Sequence, residues 1–335
     1  MTGKERILQI LDHKSDHCGF WHGCSIHSAD VMYPFFKVNN ELEMAQKLGS
    51  DAHWIMPDYY NWWPYDTPMF DSMNGKRRTS MNQAGVFAEC ENVAEVDAHH
   101  WPDVSDCDFT DTLAEINRTI QTGKAVFSGT WSPFFHVLCD LFGMGNLFTQ
   151  MYENPDVVIA VSEYVVDFFL QANERLFALA GDKIDVFFFG NDFGTQLDLF
   201  ISPEHFEKFL MPCFIKFTRQ AQRHGYKVML HSCGSIDRII PRLIDVGVNA
   251  LHPIQAKAAN MDAENLKKYN GKIIFMGGVD TQQLLPFGTP QQVYDEVKRL
   301  INIFGTNYIV SPSHEAILSI VPPENIMAMV EAAKE

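Results

Sequence analysis

The run "KVMLHSCG" (227 to 234) ends by presenting His231 and Cys233 two residues apart, with Gly234 directly behind them. Side chains two apart on a strand point to the same side, so this imidazole and thiol share one face. Both are good ligands for a borderline-soft metal. Zinc accepts thiolate and imidazole together, and a catalytic zinc site has three protein ligands and an open position. A third donor is therefore required. His314, in "SPSHEA" (311 to 316), is the first choice, with Glu315 and Cys24 behind it. The same pair also suits an ordinary strand end, so the elements around it must decide.

Those elements alternate. Strand-like runs lie at 18–25, 51–58, 125–133, 185–192, 227–234, 250–255, 272–280 and 307–314, with helical patterns between them. "SPEHFEKFLMPCFIKFTRQAQRHG" opens on Ser-Pro and closes on Gly225, and "TPQQVYDEVKRLINIFG" opens on Thr289 and Pro290 and closes on Gly305, as helix start and stop rules require. Eight such units imply an α/β fold, a single (β/α)8 TIM barrel over residues 1–335, with residues 70–104 expected as a β-hairpin insertion after the second strand. A doubly wound open sheet is the alternative, but no GxGxxG follows the first strand.

In such barrels the strand C-termini and the loops after them carry the chemistry. Here those ends are polar and aromatic. Asp58, His136 and Asp192 are the catalytic candidates. Tyr59, Trp131, Asn191, Gln255 and Asp280 are candidates for holding substrate, as polar and aromatic groups around a pocket usually do. His231, Cys233 and His314 are the metal candidates. Each has a plainer reading: Asn191 and Asp192 can cap a turn before Gly194, and mouth aromatics can merely pack a loop.

Composition is that of a globular protein, 46% apolar and 20% charged, with a formal net charge of −16. That sign opposes nucleic acid and acidic membranes as partners. The opening "MTGKERILQILDHK" reads as a charged amphipathic helix, no run approaches a membrane span, and the seven cysteines are scattered without a CxxC pair. A cytoplasmic protein with reduced thiols is expected, and a homodimer is compatible with this chain.

With the strand ends placed, "HSCGSI" (231 to 236), "GVDTQQLLPFGTPQQV" (278 to 293) and "YIVSPSHEAILSIVPPENIMAMVEA" (308 to 332) resemble the uroporphyrinogen decarboxylase superfamily, which also contains zinc-dependent, corrinoid-linked methyltransferases. The resemblance runs through almost the whole chain. Its methyltransferase branch implies zinc on a His-x-Cys pair, matched by His231 and Cys233, and on a later cysteine, where this chain has Ser313, His314 and Glu315. It further implies a small O-, N- or S-methyl compound as methyl donor and a corrinoid carried by a partner protein. With His314 as third ligand, one thiolate and two imidazoles would leave zinc a stronger Lewis acid than two thiolates do.

The decarboxylase branch implies cofactor-free chemistry centred on Asp58, with His314 or His136 relaying protons. Its arginine-rich segment after the first strand has no counterpart, since "GFWHGCSIHSADVMYP" holds no arginine or lysine. Several substrate carboxylates would then lack partners, at several kcal/mol per uncompensated ion. A third reading is a non-catalytic corrinoid or tetrapyrrole carrier using the same mouth.

Overall fold

The computed structural model describes residues 1–335 apart from the side chain of Tyr59. Its eight strands are β1 (Gly19–Phe20), β2 (Ala52–Ile55), β3 (Ala125–Ser128), β4 (Val186–Gly190), β5 (Lys227–His231), β6 (Ala250–Ile254), β7 (Ile274–Val279) and β8 (Tyr308–Pro312). They form one parallel sheet in the order β1-β8-β7-β6-β5-β4-β3-β2. The helices used below are α1 (Gly3–Leu11), α2 (Glu41–Leu48), α3 (Phe134–Phe142), α4 (Pro155–Ala180), α5 (Met211–Arg223), α6 (Pro290–Phe304) and α7 (Pro323–Lys334). This is the (β/α)8 barrel that eight alternating units imply.

Strand alternation separates two cores. In β4, Val186 and Phe188 point into the barrel with Ala125, Phe127, Met229 and Ile274. Phe187 and Phe189 point outward, where they pack against Phe177 of α4 and Phe217 of α5. Fully burying side chains of this size is worth about 1.5–3 kcal/mol each relative to exposure. α6 begins as its residues require: Thr289 accepts from the Gln292 amide while the Gln292 side chain accepts from the Thr289 amide.

Closure between β1 and β2 rests largely on Asp51, with His22 and Ser50 adding a contact across the seam. Among the described residues these strands share no ladder, but the Asp51 amide donates to Phe20 O at 2.8 Å. The buried Asp51 carboxylate accepts from the Phe20 amide at 2.9 Å and pairs with Arg6 of α1.

The insertion after β2 departs from expectation, for residues 70–104 contain no β-hairpin. Its amides find partners elsewhere. Gly85 and Phe87 donate to Phe142 O and Leu141 O at the end of α3, and Arg78 donates to Met81 O and Cys139 O at 2.7 and 2.9 Å. The polar stretch "NGKRRTSMNQ" lacks the apolar alternation that would reward pairing two strands.

Gly234 answers for its place behind Cys233. Its φ is +87°, and a Cβ there would lie 2.1 Å from Gly194 O, on the loop after β4. The two strand-end loops touch backbone to backbone, which only glycine permits.

Two stability outcomes follow from these contacts. Asp51→Ala leaves Arg6 and the Phe20 amide unpartnered at the barrel seam and is expected to cost about 2–4 kcal/mol in denaturant unfolding. Gly234→Ala combines backbone strain with a clash and is expected to cost about as much, roughly 2–4 kcal/mol. Unfolding midpoints unchanged from the parent chain would contradict either account.

Candidate metal centre at the barrel mouth

Strand register brings the candidate donors together. Gly190 of β4 pairs with His231 of β5, and His231 with His252 of β6. Two residues further along each strand, Asp192 comes level with Cys233. The Asp192 oxygens, His231 Nε2 and Cys233 Sγ offer three donor atoms all within 4.8 Å of one another. Cys233 Sγ is 3.5 Å from His231 Nε2, and Asp192 Oδ1 is 3.6 Å from the same nitrogen. Asp192 Oδ1 also accepts the Cys233 amide at 2.8 Å, fixing the carboxylate over the thiol.

Neighbouring groups hold this arrangement. His231 Nδ1 lies 3.0 Å from His252 Nδ1, so one of the two carries the shared proton. A proton on His231 Nδ1 leaves the Nε2 lone pair facing Asp192 and Cys233. Both rings are buried, and burial lowers the pKa of both, that of His252 well below the ordinary value with His231 and His314 adding to the effect. The indole of Trp131 packs edge-on against His231 with ring centroids 5.2 Å apart. It fits because Gly190 has no side chain: a Cβ there would sit 2.2 Å from the indole.

The electrostatics favour a cation. Burial first, then the carboxylates of Asp192 and Glu315, push the Cys233 thiol far above its usual range. Without a compensating positive charge the thiol holds its proton. A divalent ion reverses that balance, because thiolate and carboxylate then both gain an attractive partner. Donors about 3.5 Å apart can share an ion with bonds of roughly 2.0–2.3 Å, and oxygen, nitrogen and sulfur together suit zinc. These residues fit the metal.

The remaining candidates fall around the cluster or away from it. His136 Nε2 accepts the Asp192 amide at 3.2 Å, so it carries no proton there and its 4.0 Å approach to Asp192 Oδ2 is no ion pair. Gln255 Oε1 accepts the Gly234 amide at 2.6 Å, steadying the same loop. Asn191 is consumed by structure. Its side chain accepts from Phe135 N and donates to Ser132 O, bracing the loop after β3. Asp280 lines a separate cavity of about 570 Å³ with Lys257 and Arg299. The Tyr59 side chain lies outside the described residues.

His314 stands beside the three donors and is not one of them. Its ring centroid is 6.4 Å from that of His231, and its Nδ1 accepts the Ala316 amide at 3.1 Å. That nitrogen has no proton for Glu315, so the 3.2 Å separation from Glu315 Oε2 is a contact of two acceptors. The third donor of the cluster is Asp192, and cross-strand register with Cys233 is the signal that finds it.

Asp58 occupies another part of the mouth. It lies in the turn Pro57–Tyr60 and lines a cavity of about 210 Å³ with Trp62, Phe70 and Trp131. Although the residue as a whole stays exposed, its carboxyl faces apolar walls. Burial therefore raises its pKa, offset only partly by the hydrogen bond from Trp62 Nε1. Cys24 is buried beside Ala316, its thiol pushed up to about 12 by burial, then by Glu41. All seven cysteines are free, and no helix among the described residues is long and apolar enough to cross a membrane.

Comparison with known proteins agrees with this architecture. A methyltransferase from Methanosarcina mazei superposes with a TM-score of 0.68 over 100% of this chain and 98% of its own, at 17% identity, a likeness of fold. A methylated-thiol–coenzyme M methyltransferase of Methanosarcina mazei is 26% identical over 206 residues, 60% of this chain and 51% of that protein, so the match spans about half the relative's length. The family model for uroporphyrinogen decarboxylase (URO-D) matches residues 83–335, from the insertion through the last helix. A match over that much of the barrel shows that the chain belongs to the uroporphyrinogen decarboxylase family.

Proposed function

We propose that this protein is a zinc-dependent methyltransferase that moves a methyl group between a small O-, N- or S-methyl compound and a corrinoid carried by a partner protein. The observation that carries this reading is the convergence of Asp192, His231 and Cys233 at the mouth. The similarity to a methylated-thiol methyltransferase supports it. Asp192, His231 and Cys233 would hold the ion. Zinc at such a site supplies a Lewis acid that favours the anionic form of a bound thiol or hydroxyl at neutral pH.

The chain's own residues do the rest. His252 fixes the ring of His231 through the Nδ1 contact, as an outer partner of a ligating histidine usually does. Gln255 and the Gly194–Gly234 contact hold the Cys233 loop, so the thiol does not drift from Asp192. Trp131 covers His231 and separates it from water on that side, which strengthens every charge interaction beneath it. Among the described residues, neither mouth cavity is lined by a lysine or arginine. A substrate carrying many carboxylates is therefore poorly matched here, which favours a small compound over uroporphyrinogen.

The raised pKa of Asp58 favours a second reading, cofactor-free decarboxylation. A carboxyl whose pKa burial raises is better suited to giving and taking a proton than an exposed one. The two readings diverge on metal. Protein purified without chelator is expected to carry near-stoichiometric zinc, lost in Cys233→Ala and Asp192→Asn and retained in His314→Ala. Methyl transfer to free cob(I)alamin, followed by the loss of its Co(I) absorption, is expected to fall at least about 100-fold after zinc removal, a typical cost of deleting an essential electrostatic group. Undiminished turnover in chelator together with a steep loss in Asp58→Asn would favour the decarboxylase instead.

A further inference from the structure

A second cavity, of about 290 Å³, opens between the ends of β1 and β2, and nothing above gives it an occupant. Trp21, Tyr33, Trp54 and Tyr60 line it, and the carboxylate of Glu41, at the start of α2, faces it. The volume lies near the lower end for small-molecule sites, about 300 Å³. Four of its lining residues are aromatic rings of Trp and Tyr, Glu41 is its one carboxylate, and beside His53 and two asparagines it holds no lysine or arginine.

Glu41 is held as an anion by its surroundings. Its Oε1 accepts from the Ser25 amide at 2.8 Å, the Ser25 hydroxyl at 2.6 Å and the Tyr33 hydroxyl at 3.0 Å, and its Oε2 lies 3.4 Å from His22 Nε2. Burial alone would raise its pKa, but His22, Ser25 and Tyr33 outweigh burial and lower it. The phenols of Tyr33 and Tyr60 are pushed upward, by burial first and by neighbouring carboxylates after it, so both rings stay neutral. The result is a carboxylate, hydrogen-bonded by Ser25 and Tyr33 and beside His22, next to aromatic walls.

We propose that this cavity binds a small N-methylated ammonium cation. Aromatic side chains attract a cation through their quadrupoles, and walls of this kind are how quaternary ammonium ligands are recognised. The choice among cations follows from what Glu41 has left to offer. A primary ammonium needs up to three acceptors, and a metal ion needs several oxygen ligands. Here the single carboxylate already serves Ser25, Tyr33 and His22. A methylated ammonium requires only proximity to negative charge and apolar contact. The chain's net charge of −16 adds long-range attraction of the same sign.

The site is distinct from the metal cluster but adjoins it. Trp54 packs on Trp131 at 5.2 Å, and Trp131 on His231 at 5.2 Å. Trp21 packs on His252 at 5.3 Å, whose Nδ1 touches His231. The inference goes beyond the methyl-transfer reading and concerns binding alone.

Calorimetric titration of the full chain with choline, and with its uncharged isostere 3,3-dimethylbutan-1-ol, tests the inference, each with and without prior chelator treatment. Choline is expected to bind at least about tenfold more tightly than the isostere. Glu41→Gln and Tyr60→Leu are each expected to weaken choline at least about fivefold. Should Glu41→Gln lose its fold, by circular dichroism, Tyr60→Leu carries the test. Absence of saturable choline binding, equal affinity for the isostere, or unchanged affinity in a folded variant overturns the inference. Binding that vanishes with the metal would place choline on Asp192, His231 and Cys233, and would overturn it as well. Failure of the zinc assays described above would leave a positive choline titration standing.

Discussion

The register of three neighbouring parallel strands is the constraint on which the site depends. Gly190, His231 and His252 lie level across β4, β5 and β6, and period-two alternation turns the side chains of His231 and His252 inward at that level. One step higher on the same inward face come Asp192 and Cys233. A slip of one residue in β5 would send His231 and Cys233 outward into the helical layer, where Phe189 and Phe214 now pack. The outward phenylalanines of β4 oppose that slip, since turning them inward would empty one core and overfill the other. The candidate metal donors are thus positioned by the hydrophobic layers beneath them. Gly190 contributes by what it lacks, for its missing side chain is the space that Trp131 occupies against His231.

The mouth sorts its carboxylates by the donors each receives. Glu41 and Asp58 both face cavities lined by aromatic rings, and burial pushes both pKa values upward. Glu41 accepts from Ser25 twice and from Tyr33 as well, and ends below the usual carboxylate range. Asp58 accepts from Trp62 Nε1, which offsets burial only in part, and its pKa stays raised. Two groups of the same chemistry are therefore shifted in opposite directions, Glu41 toward the anion and Asp58 toward the neutral acid. Asp192 belongs with neither. It spends one oxygen on the Cys233 amide and faces a thiol and an imidazole.

How much of this was legible in the residues depends on whether the signal was local. The eight strands were, because each is a short apolar run ending in polar residues and punctuated by helices with clear start and stop residues. The pairing of His231 with Cys233 was too, being a matter of spacing on one strand. The hairpin in residues 70–104 was misread because polar residues around a glycine suggest a turn, whereas Arg78, Gly85 and Phe87 bond to the end of α3. The geometry offers a third donor other than the one expected, for a related reason. His314 is at a strand end, as expected, but its Nδ1 serves the backbone of Ala316. Asp192 read as a catalytic candidate, with a turn cap as its plainer role, and only the level of β4 against β5 shows it facing Cys233. Glu41 drew no notice, since a glutamate opening a helix ordinarily faces water, and its burial follows from contacts with Ser25 and His22 across the mouth.

A third ligand at Asp192 rather than His314 would alter the chemistry as well as the geometry. One thiolate and two imidazoles would leave a divalent ion with a net positive charge and a strong pull on its substrate. A carboxylate, a thiolate and one imidazole bring two negative charges, matching the ion and softening that pull. Glu315, whose Oε2 lies 3.8 Å from His231 Nδ1, adds a third negative group just outside. A near-neutral centre binds an anionic substrate less tightly and releases it more readily. Asp192, His231 and Cys233 would thus hold such an ion as a milder Lewis acid than one thiolate and two imidazoles would.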